Sequence, residues 1–240
     1  MIKIEDIYNE YLQKINDTHH EKYKDHKGWF SASSAGSCFK KQHLKKIGAE
    51  EKPFDKRTMR VLRLGTIVHS DLEKALESYV YDESIKVYTE ERIELPEVKV
   101  VGHLDVAFQD TQNETLSVCD LKTAHSFKWK KMFGRNIDPT PSVNYQLLLI
   151  LQLGTYGIGL GRRLDIQDVD LSIIWYKKDD SLMKVQPINS IWLDRAYEYW
   201  TELNEVLEDG NVPEVGDINT PVYNWECNYC PYKGSSCDGI

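Results

Sequence analysis

Between residues 85 and 123 the chain gives up helical spacing for strand alternation, and that change of period limits its possible folds more than any other feature. Upstream, Ile4, Ile7, Tyr8, Tyr11, Leu12 and Ile15 recur at helical intervals. The polar stretch 19–26 is expected to end this first helix. The small residues 31–37 suit the cap of a short helix carrying Cys38. Leu64, Val68, Leu72 and Leu76 give an apolar stripe to a helix predicted over 55–79. Then 85–94, 98–109 and 115–123 read as strands, with Asp110 to Asn113 as the turn between the last two. A helix over 142–160, a strand pair over 169–177 and 182–187, and a last helix over 190–208 complete the pattern. This order predicts an α/β fold, a mixed central sheet flanked by helices, and fits a closed barrel or a helical bundle poorly.

The length of 240 residues and a hydrophobic content of 41% suffice for one domain over 1–240 with a real core. Residues 1–30 hold a helix with no assigned role, and 211–240 form a cysteine-rich segment. The longest apolar run, 147–151, falls far short of the roughly 20 residues that span a bilayer. The first residues are charged and lack an apolar signal core, so a cytoplasmic protein with no membrane partner is expected. A net charge of −8 argues against a protein that coats nucleic acid generally, but not against a local basic groove.

The strand region contains a recognisable chemical set. Gly102-His-Leu-Asp105 lies in one predicted strand and Asp120-Leu-Lys122 ends the next. Asp120 and Lys122 are two residues apart and share a strand face. Carboxylates bind hard divalent cations such as Mg²⁺. Such a cation polarises a phosphoryl oxygen and lowers the pKa of a bound water. A neighbouring lysine can stabilise charge developing on the phosphate.

Asp105 followed by Asp120-x-Lys122 resembles the PD-(D/E)XK nuclease superfamily. The literal proline is absent, and Gly102-x-x-Asp105 is similar to the variant in RecB-type nucleases. Gly65-Thr-Ile-Val-His69 and Gln152-Leu-Gly-Thr-Tyr156 match two further motifs of that branch, and all four occur in the family's order. The resemblance implies a restriction-endonuclease-like fold and a metal-dependent DNA nuclease. In it His69, Asp105, Asp120 and the backbone carbonyl of Leu121 would hold Mg²⁺ or Mn²⁺, and Lys122 would be the catalytic lysine. Gln152 and Tyr156 would contact the DNA backbone or position the lysine. Gly65, one turn before His69, would let that helix approach the sheet closely.

Three of the five cysteines, Cys227, Cys230 and Cys237, crowd near the C-terminus in a C-x2-C-x6-C pattern. This reads first as a metal or iron–sulfur site. A fourth thiolate must come from Cys38 or Cys119. Cys119 adjoins Asp120 in an apolar strand, points to the opposite face, and reads as a core residue. Chemistry alone allows zinc or a cluster. The upstream cysteine with the C-terminal triplet resembles the iron–sulfur branch of the RecB-type nucleases, which includes CRISPR-associated exonucleases and the AddB nuclease domain. That resemblance implies a 4Fe–4S cluster on Cys38, Cys227, Cys230 and Cys237, stapling the start of the chain to its end, with zinc as the lesser alternative.

Basic residues gather locally at Lys40, Lys41, Lys45 and Lys46, and at Arg57, Arg60 and Arg63. A third group, Lys128, Lys130, Lys131 and Arg135, is interleaved with Phe127, Trp129 and Phe133 directly after Lys122. It is expected to be a loop that holds phosphates and stacks on unpaired bases. The expected partner is therefore DNA with a free end or single-stranded character. The resemblance adds recombination or CRISPR integrase partners, and the alternative of a nuclease-fold DNA-binding module that cleaves little.

Overall fold

The computed structural model describes residues 3–22, 28–79, 81–134, 139–208, 210–216 and 224–239. Its helices are α1 (Ile4–Lys22), α2 (Phe39–Lys46), α3 (Lys56–Ser78), α4 (Ser126–Phe133), α5 (Pro139–Leu164) and α6 (Ile191–Glu208). Its strands are β1 (Phe30–Ser31), β2 (Ile85–Leu95), β3 (Val100–Asp110), β4 (Thr115–Ala124), β5 (Asp168–Lys177) and β6 (Met183–Ile188). Short 3-10 turns occupy Ala32–Ser34, Pro96–Val98 and Asn224–Tyr229.

The strands form one mixed sheet in the order β1-β3-β4-β5-β6, with β2 also paired to β3. The β2–β3, β3–β4 and β5–β6 pairs are antiparallel, and β4–β5 is parallel. The β3–β4 turn is closed by Asp110, whose carboxylate accepts from the amides of Gln112 (2.9 Å) and Asn113 (3.0 Å). β4 alternates as a strand covered on both faces must. Leu116 and Val118 point into the main core with Leu153, Tyr156 and Leu160 of α5 and Trp200 and Leu203 of α6. Cys119 and Leu121 point the other way, onto Leu72 and Leu76 of α3. Cys119 is thus the core residue its position implied, its Sγ 3.0 Å from Ser172 Oγ. The main core is sealed by Trp200, fully buried, whose indole donates to Thr155 Oγ1 at 2.8 Å. Truncating such a side chain to alanine costs about 3–5 kcal/mol.

Three elements depart from expectation. The basic stretch after Lys122 is a helix, α4, rather than a loop. The ring of His125 stands at its N-cap and accepts from the Phe127 amide at 3.2 Å, which gives the chain a helix start immediately after β4. The first helix runs to Lys22, inside the polar stretch expected to end it, but of its apolar stripe Leu12 is buried while Ile4, Ile7, Tyr8 and Tyr11 are exposed. It rests on α3 by polar contacts, with Arg60 donating to Glu5 (3.0 Å) and Asn9 (2.7 Å). The stripe on α3 is only half used, since Leu64 is exposed.

Candidate active site and cysteine pocket

The β3–β4 ladder runs from Asp110↔Thr115 to Val106↔Cys119 and stops. The next partners in register would be Asp105 and Asp120, and there the strands part. Asp105 Oδ2 instead accepts from the Leu121 amide at 2.6 Å, so a side chain takes the place of a ladder bond. The β2–β3 ladder is interrupted at the same point. Thr89 and Glu91 pair with Val106 and Leu104, whereas Glu90, opposite Asp105, is skipped and has a left-handed φ of 48°. The facing of β3 slips there too. Val100 and Leu104 face α5, but Val106 and Phe108 face α3. Asp105 thus sits in a fork of the sheet, where groups from both faces can meet.

They do meet. From α3, His69 Nδ1 lies 3.8 Å from Asp105 Oδ1. Glu73, one turn further along the same helix face, joins them, and the donor atoms of His69, Glu73 and Asp105 all lie within 4.8 Å of one another. From β4, the fully buried Asp120 carboxylate holds Lys122 Nζ at 2.9 and 2.8 Å and is within hydrogen-bonding reach of Asp105. The four side chains expected from sequence therefore converge. Glu73 was missed, although His69-x3-Glu73 spacing on a helix places both on one face. Glu90 was missed because only strand register brings it opposite Asp105.

The electrostatics are those of crowded acids without enough compensating charge. Burial, with the Asp105 carboxyl alongside, pushes Asp120 up to about 7 despite Lys122. Asp105 is raised by burial, against the opposing pull of Lys122 and the Leu121 amide. Glu73 is pushed up to about 7 by burial and by the carboxylates of Glu90 and Asp105. Its Oε1 is buried with no hydrogen-bond partner among the described residues. Burial opposes the charge on Lys122, but Asp120 and Asp105 outweigh it and hold the ammonium above the usual lysine range. His69 is lowered by burial and by Lys122, which leaves its imidazole neutral and able to ligate. One imidazole, three carboxyls and an orphaned acceptor suit a hard or borderline divalent cation. At Leu121 the contact is made by the amide, which donates to Asp105.

Gln152 and Tyr156 lie on the buried face of α5, and Gln152 Nε2 donates to Tyr156 Oη at 2.9 Å. The Tyr156 ring rests against β3 at Gly102, where a Cβ would stand 3.0 Å from Tyr156 Cε1 and 2.6 Å from Ala32 Cβ. Gly102 is therefore the glycine that close packing demands. Gly65 is not: a Cβ there would meet only Thr123 Oγ1, at an ordinary 3.4 Å. On α4, Lys130 and Lys131 are exposed, whereas Lys128 is half-buried with its Nζ 5.3 Å from the Trp175 ring centre. Arg135 lies outside the described residues.

Cys38, Cys227, Cys230 and Cys237 are free thiols lining one pocket, together with Lys40, Lys41 and Glu226. Cys38 stands at the N-cap of α2; burial raises its thiol, and the amides of Lys41 and Lys40 oppose this. The C-terminal segment reaches this place through Tyr232, whose hydroxyl donates to Glu51 at 2.6 Å, and through the Lys52 amide, which donates to the Pro231 carbonyl at 3.1 Å. Among the described residues, three metal-type donors within 4.8 Å of one another occur at His69, Glu73 and Asp105.

Among the described residues no helix is long and apolar enough to cross a membrane. No known family profile matches the chain, and no curated protein matches it. Its fold is shared with a solved structure, SSO0001, at 17% identity and a TM-score of 0.58, over 98% of both chains. A lesser likeness, with a TM-score of 0.47 and 13% identity, joins 80% of this chain to 93% of an alkaline exonuclease, LHK-Exo, from Laribacter hongkongensis.

Proposed function

We propose that this chain is a divalent-metal-dependent DNA nuclease of the RecB-like PD-(D/E)XK kind, hydrolysing phosphodiester bonds from a free single-stranded or frayed end. The observation that carries this reading is the fork at Asp105, where His69 and Glu73 from a helix meet Asp105 and Asp120 from two strands beside Lys122. His69, Glu73, Asp105 and Asp120 are the residues that would hold Mg²⁺ or Mn²⁺. Such an ion, when bound, supplies Lewis-acid polarisation of the scissile phosphoryl group and acidifies water. Asp120 aims the Lys122 ammonium into the site, where its fixed charge stabilises negative charge growing on the phosphoryl oxygens. The neutral His69 ring keeps a lone pair available. Gln152 and Tyr156 act as positioning residues: their buried pair presses on Gly102, three residues before Asp105, and so supports the bend that presents the carboxylate.

The test is digestion of end-labelled single-stranded and duplex DNA with Mn²⁺, using Asp120→Ala and Lys122→Ala as controls. Cleavage by the wild type and a loss of roughly 10²-fold or more in both variants is expected. Equal inertness of all three on every substrate would leave a nuclease-fold DNA-binding module in its place.

The cysteine pocket is proposed to hold a 4Fe–4S cluster. Four free thiols lining one pocket suit a group with four soft ligands, and a pocket that joins Cys38 to residues 227–237 suits a structural staple. Anaerobic purification should give a brown protein containing iron and acid-labile sulfide. A colourless protein with stoichiometric zinc would overturn the cluster.

A further inference from the structure

The proposed nuclease leaves one surface unused. His125, Phe127, Lys128 and Lys131, at the start of α4, share a groove with Trp225 and Tyr229 of the Asn224–Tyr229 turn. This turn also carries Cys227, so the groove has one wall on the candidate active-site side and one on the cysteine side. Its aromatic groups are left in the open: Phe127 is 63% exposed and Tyr229 80%. They are also arranged. The rings of His125 and Phe127 are stacked at 6.2 Å and 13°, and Tyr229 meets Trp225 edge to face at 6.0 Å. Lys131 holds its ammonium 4.7 Å from the Phe127 ring centre. The groove adjoins the strand of the carboxylate fork, because α4 follows β4 directly.

We infer that the cysteine-bearing turn forms half of a groove for single-stranded DNA, with Trp225 and Tyr229 stacking on unpaired bases opposite Phe127 while Lys128 and Lys131 face the phosphates. The proposal rests on the nuclease reading for the nature of the polymer. Exposed flat rings beside fixed cations match a strand that alternates planar bases with anions. Bases inside a duplex have both faces covered by their neighbours, so the groove would grip only unpaired or frayed nucleotides. An acidic peptide matches the lysines but offers nothing to the rings. The cysteine pocket then does more than staple the chain, since whatever orders Cys227 also sets the position of Trp225 and Tyr229.

The experiment measures anisotropy of fluorescein-labelled oligothymidylate, and of an abasic oligomer of equal length, without added divalent cation. The wild type should bind the thymidylate more tightly by roughly 10-fold or more. Phe127→Ala/Tyr229→Ala should remove that preference and leave abasic binding unchanged, and Tyr229→Phe should retain it. Lys131→Ala should weaken both ligands alike. Equal wild-type affinity for the two oligomers, or displacement of oligothymidylate by polyglutamate as readily as by unlabelled oligothymidylate, overturns the groove; neither comparison depends on a truncated variant folding. The two proposals fail separately. A wild type that cleaves DNA but binds both oligomers equally loses the groove alone. One that never cleaves yet prefers the oligothymidylate keeps the groove and loses the nuclease.

Discussion

The carboxylate fork and the cysteine pocket both gather residues distant in sequence, but they are held in different ways. The fork is built on the sheet. β3 and β4 are tied to neighbours by long ladders, and α3 packs its Leu72 and Leu76 directly beneath. The sheet imposes the geometry even though the acids repel. Among the described residues the cysteine pocket is framed by a short helix, a 3-10 turn, and bonds from Glu51 and Lys52. The difference teaches that the fork is costly to the fold but preorganised, whereas the pocket is framed by local contacts, so that any occupant it takes would add to its order.

The sharpest break between the two regions is predicted at Asp120. Asp120→Asn should lower Mn²⁺-dependent cleavage by roughly 10²-fold or more. It should at the same time raise thermal stability in metal-free buffer at pH 8, because burial raises the Asp120 carboxyl in spite of its Lys122 partner, so its charge opposes folding. A fall in both would show that the fork is not frustrated. Cys227→Ser should do the opposite, costing about 2–5 kcal/mol of stability, as loss of a staple does. Chemical denaturation measures this, and an unchanged midpoint would mean the pocket is ordered without an occupant.

Glu73→Gln sharpens the fork further. It should weaken Mn²⁺ binding by roughly 10-fold, read by calorimetry; unchanged affinity would remove Glu73 from the donor set. The pH dependence follows from the raised acids. Asp120 and Glu73 titrate near 7 when folded, against ordinary values of 3.8 and 4.5. Between about pH 4 and 7 the folded chain therefore holds protons that the unfolded chain has lost. Metal-free stability should fall through that window as pH rises, and Mn²⁺ should restore it most at the alkaline end. A flat profile in calorimetric melts would contradict the assignment. Smallest, Gly102→Ala should cost about 1–3 kcal/mol by overpacking against Ala32 and Tyr156. Activity should fall with it, since β3 must shift just before Asp105; full activity would mean the fork is insensitive to this support.

Much was legible without coordinates, because it depends on local periodicity. The strand alternation over β2 to β4, the helix that carries His69, and the opposite facing of Cys119 and Asp120 all follow from backbone geometry repeated every two or 3.6 residues. The order of Asp105, Asp120 and Lys122 within that pattern was enough to nominate the chemistry. Position in space was not. That β3 and β4 part at Asp105, that Glu73 and Glu90 crowd it, that Tyr156 packs under Gly102 and that Tyr229 shares a groove with Phe127 are decided by strand register and by helices docking on the sheet. These contacts join residues many positions apart, and no local repeat encodes their distance. The tertiary packing alone sets which charges are buried together, and so which of these acids remain protonated near neutral pH.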